Sequence, residues 1–468
     1  MEEIRFVAAG GALGAGIDEV ALTEAMTGRP HFIACDAGTT DAGPYYLGSG
    51  QAAFARESVR ADLRTMLTAS TRANIPAIIG SAGTAGGDVH VDWTLDIIKE
   101  LVEELGVSIR VAVIYSEQSK DFIAELLEED RIVALDAAPK IDVETVRRST
   151  RIVGMMGVEP IQRALSQGVD VVLAGRCSDS ALFAAMPIQM GFPEGLSWHA
   201  GKVMECGTLA AERPGPGVLF GTITRDEVTV RGIGRDVRCT PSSIAAHSLY
   251  ENGDPFLFVE SSGVFDLTKS TYAAVDERTV RIRGTGFHPA ETYTVKLEGA
   301  TLAGYSSLTI GGIRDPFIIR QLDDWLERVE MRIHESVREL LNGVLEREEY
   351  KLAFHLYGKN GVMGSFEPPA EQLPIEIGLV VEVLAPTQEI ANTIAKLCRQ
   401  PLLHTSIPEW IGGVTTFACL HNPSHIERGP VYEFFLNHAA IQDHEGEFFR
   451  HEYVELAPRE LLASTLGD

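Results

Sequence analysis

No stretch of this chain approaches the ~18 uninterrupted apolar residues that a membrane-crossing helix requires. A helical membrane protein is therefore not expected. Positive charge is also scarce, with 40 Lys and Arg against 66 Asp and Glu, a formal net charge of −26. Such an acidic surface repels phosphate backbones, so nucleic acid is not an expected partner. A single basic cleft for an acidic metabolite remains compatible with that balance. The six cysteines, at 35, 177, 206, 239, 398 and 419, form no CxxC pair. Their scatter excludes a disulfide framework and a zinc ribbon, and fits a reducing cytoplasm. The opening Met1-Glu2-Glu3 lacks the basic start of a secretory signal, which points to the same compartment.

Hydrophobic residues make up 45% and charged residues 23% of the 468, the balance of a globular protein. That length exceeds one ordinary core, so two domains are expected. In the first half, short apolar runs at 4–8, 31–34, 77–79, 110–114, 132–135 and 169–174 alternate with helical stretches such as 96–105 and 119–127. Continuous apolar strands separated by helices predict an α/β fold with a Rossmann-like, mostly parallel sheet covered on both faces. The texture changes after Cys206, where 217–230 and 279–297 alternate with period 2 in the manner of antiparallel strands. A long charged helix is expected over 315–347. Strands at 351–355 and 376–384 and a helix at 387–398 follow. The expected division is a core domain 1–347, β-rich over about 208–314, and a smaller α/β domain 348–468.

Binding crevices of parallel sheets lie at the carboxyl ends of the strands, and the Gly-rich loops fall there. The densest runs Asp36-Ala-Gly-Thr-Thr-Asp-Ala-Gly-Pro-Tyr-Tyr-Leu-Gly-Ser-Gly50. Its small residues let a ligand approach the backbone, and Thr39, Thr40, Tyr45 and Ser49 offer polar groups for binding. Asp36 and Asp41 are candidates for proton transfer or for holding hydroxyls or a cation. The competing reading is a turn whose aspartates cap a helix. Gly80-Ser-Ala-Gly-Thr-Ala-Gly-Gly-Asp88 follows another strand; its backbone N–H groups and the Ser81 and Thr84 hydroxyls suit phosphate or carboxylate at a helix start, with Asp88 a further substrate-binding candidate. It lacks the Lys-Ser/Thr ending of a P-loop. Gly10-Gly-Ala-Leu-Gly-Ala-Gly16 is too loose a dinucleotide fingerprint to imply NAD.

Gly175-Arg-Cys-Ser-Asp-Ser-Ala-Leu182 supplies Arg176, a planar fork for carboxylate or phosphate, with Asp179 as its orienting partner or a base and Ser180 beside it. Asp179 reads equally as a helix cap. Cys177 reads as a packing residue rather than a nucleophile. In Trp198-His-Ala-Gly-Lys-Val-Met-Glu-Cys-Gly207, helical spacing groups His199, Lys202 and Glu205 for proton transfer, or leaves Lys202 and Glu205 as an ordinary ion pair. His404, His421, His425 and His438 show no metal-ligand spacing, no HExxH occurs, and no cofactor motif stands out. A divalent metal is thus unsupported by spacing.

The pattern Gly175-Arg-x-x-Asp-x-Ala-Leu, then Pro187, Gly191 and Ala200-Gly-Lys-x-x-Glu-Cys-Gly207, resembles the central signature of the acyclic terpene utilisation (AtuA-type) family. Asn422-Pro-Ser424, Gly429-Pro430 and Leu436-Asn-His438 are similar too. Gly201-Lys202 stands where the family typically reads Gly-His, and the Asp36–Asp41 loop replaces an acidic, leucine-rich stretch, which implies a divergent member. The resemblance implies catabolism of a small carboxylate or its CoA thioester, in a pathway run on thioesters.

The available parts point to a hydratase or lyase. The alternatives are a hydrolase, for which no GxSxG elbow speaks, and a non-catalytic ligand-binding or structural subunit. The family's large domain often accompanies a small companion, so a companion protein or a homo-oligomer is expected. The competing expectation is a monomer sealed by a last helix over 458–466.

Overall fold

In a computed structural model, residues 2–369, 372–410, 415–443 and 448–458 are described. The expected helix over 458–466 lies outside them save for its first residue. The chain divides into two compact units, one of Met1–Thr301 with Phe434–Asp468 and one of Leu302–Glu433. This is not the division at 347. The crossings fall inside two long strands, Tyr293–Ile313 and His425–Gln442, where no composition change marks them.

The described residues of the larger unit form a ten-stranded sheet. Five strands at its centre are parallel, in the order Ile4–Ala8, Phe32–Asp36, Ala77–Gly80, Val171–Ala174 and Ile109–Tyr115. Each is apolar at nearly every position because each is covered twice. Phe6, Phe32, Ile78, Ala112 and Val172 face one core with Ile161, Phe183 and Trp198. Val7, Ile33, Ile79, Val113 and Leu173 face another with Leu63, Ile98 and Leu101. Burial of each large apolar side chain of this kind contributes about 1.5–3 kcal/mol.

The sheet is mixed rather than mostly parallel. Val218–Ile223 and Val228–Ile233 form a hairpin that adds antiparallel to Ile4–Ala8; Thr279–Arg283 and Thr271–Ala274 extend it, and Arg450–Leu456 closes the other edge on Ile109–Tyr115. The β-rich middle segment therefore largely prolongs the first sheet. A separate three-stranded sheet, Leu257–Glu260, Gly263–Asp266 and Gly286–Pro289, stands apart from it. The expected strand at 132–135 forms over Ile132–Ala134 but pairs with 438–440 instead of joining the parallel centre.

The helix expected from 96 starts at Asp88 and runs to Leu105, its inward face continuing through Val91, Leu95, Ile98, Leu101 and Val102. Polar His90 and Asp92 hide that face in the sequence. Gly106 ends the helix at φ +65, a conformation glycine adopts without steric cost.

In the smaller unit, strand Ile377–Ala385 pairs antiparallel with 305–313 of the long strand, and Lys351–Tyr357 adds on its other side. The helix Gln388–His404 packs its Ala391, Ile394, Cys398 and Leu402 into the core there. The single helix expected at 315–347 is two, Pro316–Arg320 and Leu322–Leu341, because Gln321 leaves helical geometry at φ −125, ψ 38. Among the described residues no helix is long and apolar enough to cross a membrane.

Candidate functional site

The parallel strands end in loops packed backbone to backbone. A Cβ on Gly38 would lie 2.2 Å from the Thr84 backbone, and one on Gly86 would lie 2.1 Å from the Arg176 nitrogen. A Cβ on Gly201 would lie 2.2 Å from the Ser180 carbonyl oxygen. The glycines thus bring four chain segments together at the carboxyl ends of the sheet. Ser116 Oγ reinforces this by donating to the Gly86 carbonyl at 2.7 Å and accepting from the Arg176 N–H at 2.7 Å.

In front of these loops lies a cavity of about 420 Å³, within the range of small-ligand pockets. Its wall carries Asp41, Arg176, Ser178, Asp179, Ser180, Lys202, Glu205, Glu251, Asn252 and Glu260, with Met155, Phe258, Val259 and Phe265 as its apolar part. Of the sequence candidates, Asp41, Arg176, Asp179, Ser180, Lys202 and Glu205 meet here. Glu260, at the end of a strand of the three-stranded sheet, was missed; so were Glu251 and Asn252.

Arg176 is an internal organiser. Its Nε donates to Glu298 at 2.9 Å and its Nη2 to the other Glu298 oxygen at 3.4 Å, while Nη1 reaches the Cys177 carbonyl at 3.0 Å and Asp179 at 3.3 Å. Ser81 Oγ accepts from the same nitrogen at 3.3 Å. Little of the fork is left for a substrate carboxylate. Burial disfavours ionisation of Glu298, but Arg176 and then Lys296, at 3.0 Å, outweigh it and lower its carboxyl to about 2.

Other carboxyls move the opposite way. Burial raises Asp179 to about 6, against the pull of Arg176 and Lys202. Burial raises Glu205 to about 7, although Lys202 donates to it at 2.6 Å and Ser180 at 3.0 Å. Burial raises Glu260 to about 8, with Ser178 donating at 3.0 Å and opposing the shift. Asp36 sits behind the wall, 6% exposed, with one carboxylate oxygen buried and unpartnered. Burial and then the charge of Asp179 hold its carboxyl well above the ordinary range. Asp179 is not the helix cap: Ser180 holds that position before Ala181–Gln189 without a side-chain bond, and Asp179 turns to Arg176.

His199 departs from the expected grouping with Lys202 and Glu205. Its Nδ1 meets Thr285 at 2.7 Å, and its Nε2 meets Ser248 at 3.0 Å and Tyr272 at 3.2 Å. Burial lowers it to about 3, so it is a neutral core residue held by hydroxyls. Successive helical residues point in different directions, and a helix buried on all sides, as Gly195–Met204 is, gives each face a different neighbour.

The remaining binding candidates hold the loops. Thr39 Oγ1 accepts from the Asp41 N–H at 3.1 Å, Ser49 Oγ from Gln51 at 3.2 Å and Thr84 Oγ1 from Ala53 at 2.9 Å. Tyr45 donates to Gln51 at 3.4 Å, Thr40 is buried, and the Asp88 N–H donates to the Glu117 carboxylate at 3.0 Å while the Asp88 carboxylate accepts from the Glu117 N–H at 3.2 Å. The first Gly-rich turn cradles an anion, but its own: Asp62 accepts from the N–H groups of Gly14, Gly16 and Ile17 at 2.7, 3.0 and 2.8 Å. All six cysteines are free. Donor atoms of Glu205, Cys206 and His247 lie within 4.8 Å of one another, at the edge of the same site.

Fold and site together define an α/β protein in which carboxyls from the loop ends of the parallel sheet, from a buried helix and from the separate three-stranded sheet meet at one cavity. The chain matches the model of the acyclic terpene utilisation family protein AtuA over residues 39–212 and 228–442, and it belongs to that family. The first span includes the cavity's sequence-predicted residues, and the second includes Glu251, Asn252 and Glu260. No curated protein and no solved structure matches the chain.

Proposed function

We propose that this chain is a catabolic enzyme that adds or removes water by acid–base chemistry, acting on a small carboxylate or the acyl end of its CoA thioester. What supports the reading is one cavity that holds carboxyls titrating on both sides of neutrality, with Asp179 near 6 and Glu260 near 8. At pH 7 Asp179 is largely ionised and Glu260 largely protonated. In elimination, Asp179 takes a proton from the carbon beside a carbonyl, and Glu260 gives one to the departing hydroxyl, which leaves as water. Addition runs the same transfers backwards.

The wall carries five carboxyls against two cations, so a bound acid relies on carboxyl protonation and on Lys202. The family's association with acyclic terpene breakdown favours a branched acyl substrate. The test is a panel of enoyl and hydroxyacyl acids and thioesters, followed by water addition and by deuterium uptake from D2O. Asp179→Asn should lower the rate by roughly 10²–10⁴. A bell-shaped profile centred near pH 7 is expected, its limbs set by Asp179 below and Glu260 above. Absence of turnover and of exchange across the panel, from folded protein, contradicts the reading.

The chain works within an assembly, either with a small companion protein or as a homo-oligomer. Val362, Phe366, Leu373 and Ile375, exposed by 84, 83, 60 and 72%, support this. A monomer by light scattering, fully active and with no copurifying neighbour, contradicts it.

A further inference from the structure

We propose that Glu205, Cys206 and His247 form a binding site for one zinc-class divalent cation at the edge of the cavity. The inference goes beyond the acid–base reading and stands without it. Glu205 and Cys206 follow the helix Glu194–Met204, and His247 lies on the helix Pro241–Ser248, so two elements converge on the site. One donor atom from each residue falls within 4.8 Å of the other two. Bonds of about 2.0–2.3 Å in a tetrahedral zinc site place donors roughly 3.4–3.7 Å apart, so modest side-chain rotation closes the set.

A second observation points to a ligand. His247 is 8% exposed, and its Nε2 is buried without a hydrogen-bond partner. Leaving such a nitrogen unpaired is unfavourable, and ligation of the ring would offset that cost. Burial and then Lys202 lower this imidazole to about 4, so it is neutral at pH 7 as a ligand must be. The Cys206 thiol is protonated before the metal arrives, and binding releases that proton to solvent as the sulfur–metal bond forms.

Lys202 now occupies Glu205 at 2.6 Å, so ion pair and metal compete for one carboxylate. Displaced, the ammonium is free to meet a substrate anion in the cavity that both Lys202 and Glu205 line. Three protein ligands leave the cation an open position, the arrangement of catalytic rather than structural sites.

The test uses the full-length protein stripped with chelator. Titration with zinc against a chromogenic competitor should give one ion per chain, and cobalt in its place should give a thiolate-to-cobalt charge-transfer band. Cys206→Ser should abolish the band. His247→Ala should raise the zinc Kd by more than about 100-fold, beyond the 10–100-fold typical of losing a group that only supports a ligand. Lys202→Met should tighten binding by removing the competitor. Alkylation of the wild-type protein needs no variant: zinc should protect Cys206 while Cys419, the other incompletely buried cysteine, keeps its reactivity. A chain that takes up no stoichiometric zinc, or binds cobalt without the band, or leaves Cys206 unprotected, overturns the proposal.

Discussion

Replacing Arg176 by Gln should destabilise the protein chiefly through a residue that is not mutated. Glu298 is 5% exposed and depends on Arg176 and Lys296 to remain ionised. Its fall from the ordinary 4.5 to about 2, at 1.36 kcal/mol per pH unit, corresponds to roughly 3 kcal/mol. This agrees with the about 3–5 kcal/mol seen when one partner of a buried pair is removed.

Because the folded pKa is depressed, that stability is present above the unfolded value near 4.5 and is lost as pH falls through about 2. Urea unfolding of wild type, Arg176→Gln, Glu298→Gln and the double variant, at pH 7 and again at pH 3, gives the cycle. The double variant should recover most of the loss at pH 7, since Glu298 no longer holds a buried charge without Arg176, and Asp179, more exposed, keeps Lys202 as a nearby cation. The single-variant penalty should shrink at pH 3. An Arg176→Gln variant within about 0.5 kcal/mol of wild type, or a double variant no better than the single, refutes this account of the pair.

Two further outcomes follow from packing. Asp62→Ala leaves the N–H groups of Gly14, Gly16 and Ile17 without their acceptor and should cost about 1–3 kcal/mol in chemical unfolding. Addition of NAD should not restore the loss, since this turn is built around a carboxylate of the chain itself. Gly201→Ala drives a methyl to 2.2 Å from the Ser180 carbonyl oxygen, so the helix or the Arg176–Ser180 loop must shift. Stability should fall by about 1–3 kcal/mol and turnover should fall with it; an unchanged melting temperature contradicts the close approach.

The parallel centre of the sheet was legible in the sequence because its strands are buried on both faces and read as unbroken apolar runs. The hairpin 218–233 was legible as antiparallel, but nothing in its alternation says which strand it joins; Ile4–Ala8 is more than two hundred residues away in the chain. The unit boundary was hidden because it falls within paired strands rather than a linker. Asp179, Lys202, Glu205 and Arg176 were found as neighbours of glycines that the close approach of loops demands.

Glu260 and Glu298 carried a weaker signal: each is a lone carboxylate beside apolar residues in a strand, Leu-Phe-Val-Glu260 and Val-Lys-Leu-Glu298. Arg176 was legible as a charged fork, but its partner Glu298 is 122 residues distant, so its commitment to the interior could not be read locally. His199 was misplaced for the converse reason. Helical spacing groups residues on a face, yet does not say that hydroxyls from Ser248, Tyr272 and Thr285 will enclose one of them.

The central claim is that one cavity holds Asp179 ionised and Glu260 protonated at neutral pH, and it can be measured without knowing the substrate. Carboxyl-region infrared difference spectra of isotope-edited protein, recorded from pH 4 to 10 for wild type, Asp179→Asn and Glu260→Gln, report each group directly. The account predicts a protonated carboxyl band at pH 7 that titrates near 8 and is missing from Glu260→Gln, and a second transition near 6 that is missing from Asp179→Asn. Titration of both groups in the ordinary carboxylate range of about 4, with no protonated band at pH 7, would contradict it.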